Sequence, residues 1–170
     1  MTKTATAVTM KGNPVTLLGK EIEIGQSAPD CTLVANDLST FTLSSLKGKK
    51  IILSVVPSLD TGICDLQTKR FNKEAGALGN DTAIITISMD LPFAQKRWCG
   101  ATGTDKVKTY SDHRDASFGE NYGVLIKGLR LLTRAIFIID PKWKITYKQI
   151  VHEITQEPNY DDALTAFKKI

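Results

Sequence analysis

The sequence predicts an α/β fold with a central mixed sheet flanked by helices and an N-terminal β-hairpin. Three observations predict it. Ile51-Ile52-Leu53-Ser54-Val55-Val56 and Thr82-Ala83-Ile84-Ile85-Thr86-Ile87-Ser88-Met89 are nearly continuous apolar runs, typical of strands covered on both faces. Between them Cys64, Gln67, Phe71, Ala75 and Leu78 recur at helical spacing. Strand, helix, strand implies a parallel pair joined by a right-handed crossover. The third observation is another buried run, Arg134-Ala135-Ile136-Phe137-Ile138-Ile139-Asp140. Pro141-Lys142-Trp143-Lys144 turns it back into Ile145–Val151, an antiparallel partner.

The remaining elements follow in chain order. Ala5–Met10 and Val15–Leu18 flank Lys11-Gly12-Asn13-Pro14, a hairpin turn by composition. Cys31-Thr32-Leu33-Val34 and Thr40-Phe41-Thr42-Leu43 flank Asn36-Asp37 and form a second short hairpin. Leu43–Leu46 reads as a helical turn ending at Gly48. Asp90-Leu91-Pro92 opens a short helix, with Asp90 as N-cap and proline in the first turn. Gly100 is expected to stop it, leaving Cys99 at its C-terminal end. Lys106–Tyr110 alternates like a strand, and Tyr160–Lys169 is a closing helix. Parallel βαβ, then an antiparallel hairpin, then a helix is a thioredoxin-like order. No linker, repeat or low-complexity tract interrupts it. The chain is therefore read as one domain over 1–170, with 1–25 as an N-terminal hairpin extension.

Composition narrows the function classes. The 170 residues carry 22 basic and 18 acidic side chains, a net charge of only +4. The basic residues are scattered, without the aromatic-interleaved stripe of a nucleic-acid binder. No apolar run approaches a membrane span, and the first residues lack the apolar core of a secretory signal. Three cysteines, Cys31, Cys64 and Cys99, are an odd count with wide spacing and no neighbouring histidines. That argues against a secreted disulfide framework and against a zinc site, and favours the cytosol.

The most informative stretch is Pro57-Ser58-Leu59-Asp60-Thr61-Gly62-Ile63-Cys64. It puts a thiol at a helix N-terminus directly after a buried strand, where the thiolate is favoured. Lowering a thiol pKa from ~8.5 to ~6 takes roughly 3.4 kcal/mol. A helix end supplies up to about 2 kcal/mol, so an arginine nearby is expected to supply the rest. Full ionisation gains only about thirtyfold in thiolate, so a fast reaction also needs groups that stabilise the leaving group's charge. Thr61, three residues before Cys64, is placed to bring a hydroxyl beside the sulfur. Pro57 is placed to fix the turn and keep water out. Asp65 opposes a thiolate if it faces the sulfur, and is expected to point outward.

These residues resemble the peroxiredoxin family through Pro57-x-x-x-Thr61-x-x-Cys64. Longer strings are similar to its bacterial thiol peroxidase subfamily: Asp90-Leu91-Pro92-Phe93-Ala94-Gln95, Cys99-Gly100-Ala101, Phe118-Gly119-x-x-Tyr122-Gly123-Val124, Leu131-Leu132-Thr133-Arg134-Ala135, and Glu153-Ile154-Thr155-x-Glu157-Pro158-x-Tyr160. The resemblance runs from about Val15 to the C-terminus. It implies a peroxidatic Cys64 that becomes a sulfenic acid, and a resolving Cys99 that forms an intramolecular disulfide with it. It implies that Thr61 and Arg134 hold the hydroperoxide, that thioredoxin is the reductant, and that the protein is a homodimer. It implies no metal, haem or flavin, and often a preference for alkyl hydroperoxides. Arg134, opening a buried strand, would then have an anion to pair with. Bridging needs Cα atoms about 5.5 Å apart, so both cysteine segments are expected to rearrange on oxidation.

Other readings stand beside this one. Cys31, at the start of an apolar strand, reads as core filler. Phe93, Trp98 and Tyr122 fit core packing as well as a substrate or dimer surface. A thioredoxin-like carrier or isomerase would want Cys-x-x-Cys, but Asp65-Leu66-Gln67 follows Cys64. A redox-sensing interaction protein would need only stoichiometric oxidation. His113 and His152 lack the context of a cysteine-protease base, and a metal-binding module lacks clustered ligands.

Overall fold

The computed structural model describes residues 2–170. Its strands are β1 (Val8–Met10), β2 (Asn13–Val15), β3 (Leu17–Leu18), β4 (Thr32–Val34), β5 (Thr40–Thr42), β6 (Lys50–Val55), β7 (Thr82–Ser88), β8 (Lys108–Ser111), β9 (Leu125–Ile126), β10 (Ala135–Ile139) and β11 (Ile145–Ile150). Its helices are α1 (Gly62–Ala75), α2 (Pro92–Thr102), α3 (Ser117–Asn121) and α4 (Tyr160–Phe167). A 3-10 turn at Leu43–Leu46 matches the expected helical turn.

Seven strands make the central sheet in the order β11-β10-β6-β7-β8-β4-β5. The three middle strands β6, β7 and β8 are parallel, and the antiparallel pairs flank them. The expected mixed sheet is therefore present, with the β6–α1–β7 crossover at its centre.

Alternation along β6 and β10 sorts the core into two layers, because successive side chains in a strand point to opposite faces. Ile51, Leu53, Val55, Ala135, Phe137 and Ile139 pack with Phe118 and Tyr122. Ile52, Ile136 and Ile138 pack on the opposite face against Phe71 of α1 and Phe167 of α4. Ser54 continues that helix-facing row one step further, near the end of the strand that leads into the Pro57–Thr61 loop.

Three sequence expectations need correction. The first hairpin turns on Lys11 and Gly12 alone, both at positive φ (50° and 78°), while Asn13 and Pro14 are already in β2. Pro14 fits because, among the described residues, β2 pairs with β1 alone. Asp90 does not cap α2: the N-cap is Leu91, without a side-chain bond, and the Asp90 carboxylate is spent on the Ser58–Leu59 loop. Gly100 does not end α2 either. The helix runs through it to Thr102 and closes on Gly103 in the left-handed conformation (φ 63°). Cys99 still lies in the last turn of α2, as expected, and its carbonyl accepts from the Gly103 N–H that closes the helix. Sequence reasoning also missed α3 and β9, which are too short to show a period.

Candidate active site

The strand β6 delivers the chain to Pro57, which is buried, and the loop from Ser58 to Asp60 turns it into α1. Asp90 holds that loop. Its Oδ1 accepts from Ser58 Oγ at 2.6 Å, and its Oδ2 accepts from the Leu59 N–H and from Ser88 Oγ at 2.7 Å each. Thr61 is the N-cap of α1, and its carbonyl accepts from the Asp65 N–H at 3.0 Å. Its side chain caps no backbone N–H. It turns to Cys64 instead.

Cys64 is fully buried in the first turn of α1. Thr61 Oγ1 lies 2.7 Å from Cys64 Sγ and 3.0 Å from the Ser58 carbonyl. A hydroxyl has one proton to donate. With a thiolate, that proton goes to sulfur. With a thiol, the S–H donates to Oγ1 and the hydroxyl proton goes to Ser58. The threonine thus serves either form.

Arg134 supplies the expected cation. It is 2% exposed, immediately before β10. Nη2 donates to Cys64 Sγ at 3.3 Å, Nη1 to Gln67 Oε1 at 2.9 Å, and Nε to the Ile154 carbonyl at 2.9 Å. Among the described residues no carboxylate pairs with Arg134. Of the groups bonded to it, only Cys64 is able to carry negative charge. A buried cation without a counter-ion is costly, which the three hydrogen bonds to Cys64, Gln67 and Ile154 partly offset. Gln67 Nε2 donates to Ser54 Oγ at 2.8 Å, which locks the amide and with it the arginine.

Asp65 is hydrogen-bonded to neither Cys64 nor Arg134. Its Oδ1 accepts from the Trp98 indole at 3.1 Å, and its Oδ2 is paired with Lys69 at 2.8 Å. A cavity of about 670 Å³ adjoins the site. Thr61 and Arg134 reach its wall, and Met10, Ile63, Leu66 and Leu131 make that wall largely apolar.

Cys99 faces elsewhere. Its Sγ lies 3.4 Å from Thr109 Oγ1, beside a second cavity of about 610 Å³ that Asn36 and Tyr110 also line. All three cysteines are free. Cys31 is buried, and burial beside Asp112 and Asp30 pushes its thiol far up, which fits core filler. Tyr122 is buried in the core, Trp98 packs on Cys64, and Phe93 is exposed. His113 binds Ser111 and His152 faces the Ala7 carbonyl, so neither is hydrogen-bonded to a cysteine. Gln67, Ser54 and Asp90 were missed as site residues. Only Gln67 left a signal, by lying three residues after Cys64 on one helix face.

The model of the family described as Redoxin matches residues 23–164. The chain belongs to the Redoxin family. Within it, the chain is 55% identical over 163 residues to the thiol peroxidase of Bacillus subtilis, covering 96% of this chain and 97% of that one. It is 57% identical over 162 residues to the thiol peroxidase of Oceanobacillus iheyensis, covering 95% and 98%. Among solved structures, a peroxiredoxin-like protein from Aquifex aeolicus superposes with a TM-score of 0.91 at 42% identity, covering 97% of each chain. A thiol peroxidase from Chromobacterium violaceum shares the fold, with a TM-score of 0.86 at 19% identity. The motif-based resemblance to the thiol peroxidase subfamily is thereby borne out, and this Redoxin chain is an enzyme of the peroxidase class.

Proposed function

We propose that this enzyme reduces hydroperoxides at Cys64 and resolves the product at Cys99. The Cys64 thiolate attacks the terminal peroxide oxygen and the O–O bond breaks. The sulfur becomes a sulfenic acid, and the departing oxygen takes up a proton and leaves as alcohol or water. The Cys99 thiol then attacks the sulfenic sulfur, expelling water and forming the Cys64–Cys99 disulfide. A reduced dithiol protein of the thioredoxin class restores both thiols by exchange.

The observation that carries this reading is the paired grip on Cys64 Sγ by Thr61 Oγ1 and Arg134 Nη2. The same two donors are positioned to hold a peroxide and to stabilise the charge that develops on its leaving oxygen. Pro57, buried beside them, keeps water from the sulfur. The apolar wall of the adjoining cavity suits an alkyl hydroperoxide. No metal, haem or flavin is required. We place the enzyme in the cytoplasm as a homodimer with a role in antioxidant defence.

The test is steady-state turnover of cumene hydroperoxide with thioredoxin and thioredoxin reductase, joined to non-reducing peptide mapping. The reading expects turnover and a Cys64–Cys99 bridge with Cys31 free. A Cys64→Ser variant with undiminished turnover would sink it. A Cys64 that stays sulfenic or sulfinic beside a free Cys99 would remove the resolution step.

A further inference from the structure

Asp65 directly follows Cys64, and Trp98 directly precedes Cys99. The Trp98 indole N–H donates to Asp65 Oδ1 at 3.1 Å across 33 positions of chain. Among the described residues this is the one side-chain hydrogen bond between α1 and α2. The other carboxylate oxygen is held by Lys69, which lies on α1 itself. The Trp98 ring packs on Val56, Leu59 and Cys64, and Cys99 packs against the same small cluster.

The two thiols nevertheless face different partners. Cys64 Sγ is turned to Thr61 and Arg134, and Cys99 Sγ to Thr109 on β8. A disulfide needs Sγ atoms about 2.05 Å apart with both Cβ vectors converging. With Cys64 in the first turn of α1 and Cys99 in the last turn of α2, at least one of the segments must unwind. Unwinding either of them moves a residue adjacent to a cysteine and breaks the Asp65–Trp98 bond.

We propose that Asp65 and Trp98 form a latch that times the resolution step, an inference that rests on the roles proposed above for Cys64 and Cys99. While the latch holds, the Cys64 sulfenate stays under Thr61 and Arg134. There a second hydroperoxide oxidises it to the sulfinate and leaves as alcohol. When the latch opens, Cys99 attacks the same sulfur and water leaves. The latch therefore sets the ratio of sulfinate to disulfide without acting on the first peroxide. Asp65 and Trp98 are positioning residues, not catalytic ones. A hydrogen bond to a charged acceptor in a half-buried setting biases such an opening by roughly tenfold.

The experiment is rapid-quench mass spectrometry of the full chain against graded cumene hydroperoxide. Trp98→Phe keeps the ring on Val56 and Leu59 and removes only the N–H. Asp65 keeps Lys69, so no charge is stranded. The disulfide should form about tenfold faster than in the parent, and about tenfold more peroxide should be needed for half-conversion to sulfinate. Consumption of the first equivalent should stay within about twofold. Asp65→Ala breaks the latch from the other side and carries the test if Trp98→Phe fails to fold. The double variant should show no more effect than either single one. Equal partition in the parent and both single variants overturns the latch while leaving the peroxidase reading intact. A parent that makes no Cys64–Cys99 disulfide overturns the resolution step and the latch with it.

Discussion

Arg134 Nη2 lies 3.3 Å from Cys64 Sγ although 70 positions separate the two residues. The distance is set by β6 and β10, which pair antiparallel so that Ala135 sits opposite Val55. Arg134 lies immediately before β10, and β6 leads through the loop from Pro57 to Thr61 into the first turn of α1, which carries Cys64. The meeting of cation and sulfur is thus a consequence of sheet register, and a one-residue slip would turn Arg134 to the other face.

Replacing Arg134 by Met should lower the second-order rate with hydroperoxide by about a hundredfold to a thousandfold, the usual cost of losing one donor to developing charge. Lysine should not restore it, because a point charge cannot bridge Cys64, Gln67 and the Ile154 carbonyl as the fork does. Stopped-flow peroxide consumption under pseudo-first-order conditions reads both variants.

Thr61→Val keeps the shape and removes the hydroxyl. The expected loss is about tenfold to a hundredfold in the same rate, the size of a hydrogen bond to a charged group. Thr61→Ser should recover most of it. Equal rates in Val and Thr proteins would show that the 2.7 Å contact is only packing.

Asp112 is 1% exposed, and burial pushes its carboxyl up to about 6 despite the Phe118 and Gly119 N–H groups that donate to it. The folded value lies above the unfolded one, so this group favours the fold at low pH. That contribution is fully present below about pH 4 and is lost as pH rises through about 6. Roughly two pKa units correspond to about 3 kcal/mol. Urea unfolding of the parent and of Asp112→Asn across pH 4–7 should show the parent's advantage shrinking as pH rises.

Glu153 behaves in the opposite sense. Its carboxylate accepts from Gly12 N–H, Thr155 Oγ1 and Thr9 Oγ1, which hold its pKa well below the carboxylate range. It therefore ties the turn of the first hairpin to the Ile154 segment whose carbonyl holds Arg134. The contribution is present above about pH 4.5 and is lost only as pH falls through the lowered folded value. Glu153→Gln should speed hydrogen exchange at the Lys11 and Gly12 amides at neutral pH. Unchanged protection would mean that the hairpin turn is held by other contacts.

Much of this was readable in the chain because the signals are local. The apolar runs of β6, β7 and β10 report strands buried on both faces, and the residues from Pro57 to Cys64 report a thiol at a helix start. The same locality explains the errors. Gly100 reads as a stop, but α2 packs on β8 and its helical bonds outweigh the modest cost of one internal glycine. Asp90 reads as a cap, but a carboxylate that finds Ser58, Leu59 and Ser88 gains more there than at one helix N–H.

By itself the sequence determined the longer elements, the thiol at a helix start and the family, because period, turn chemistry and motif spacing need only neighbours along the chain. Only the tertiary structure decided the rest. It showed that the fork of Arg134 reaches Cys64 and Gln67, that Cys99 faces Thr109, and that Asp65 is bonded to Trp98. Each of these depends on which strands pair and in what register. No local pattern encodes that choice, since burial of the whole sheet makes it.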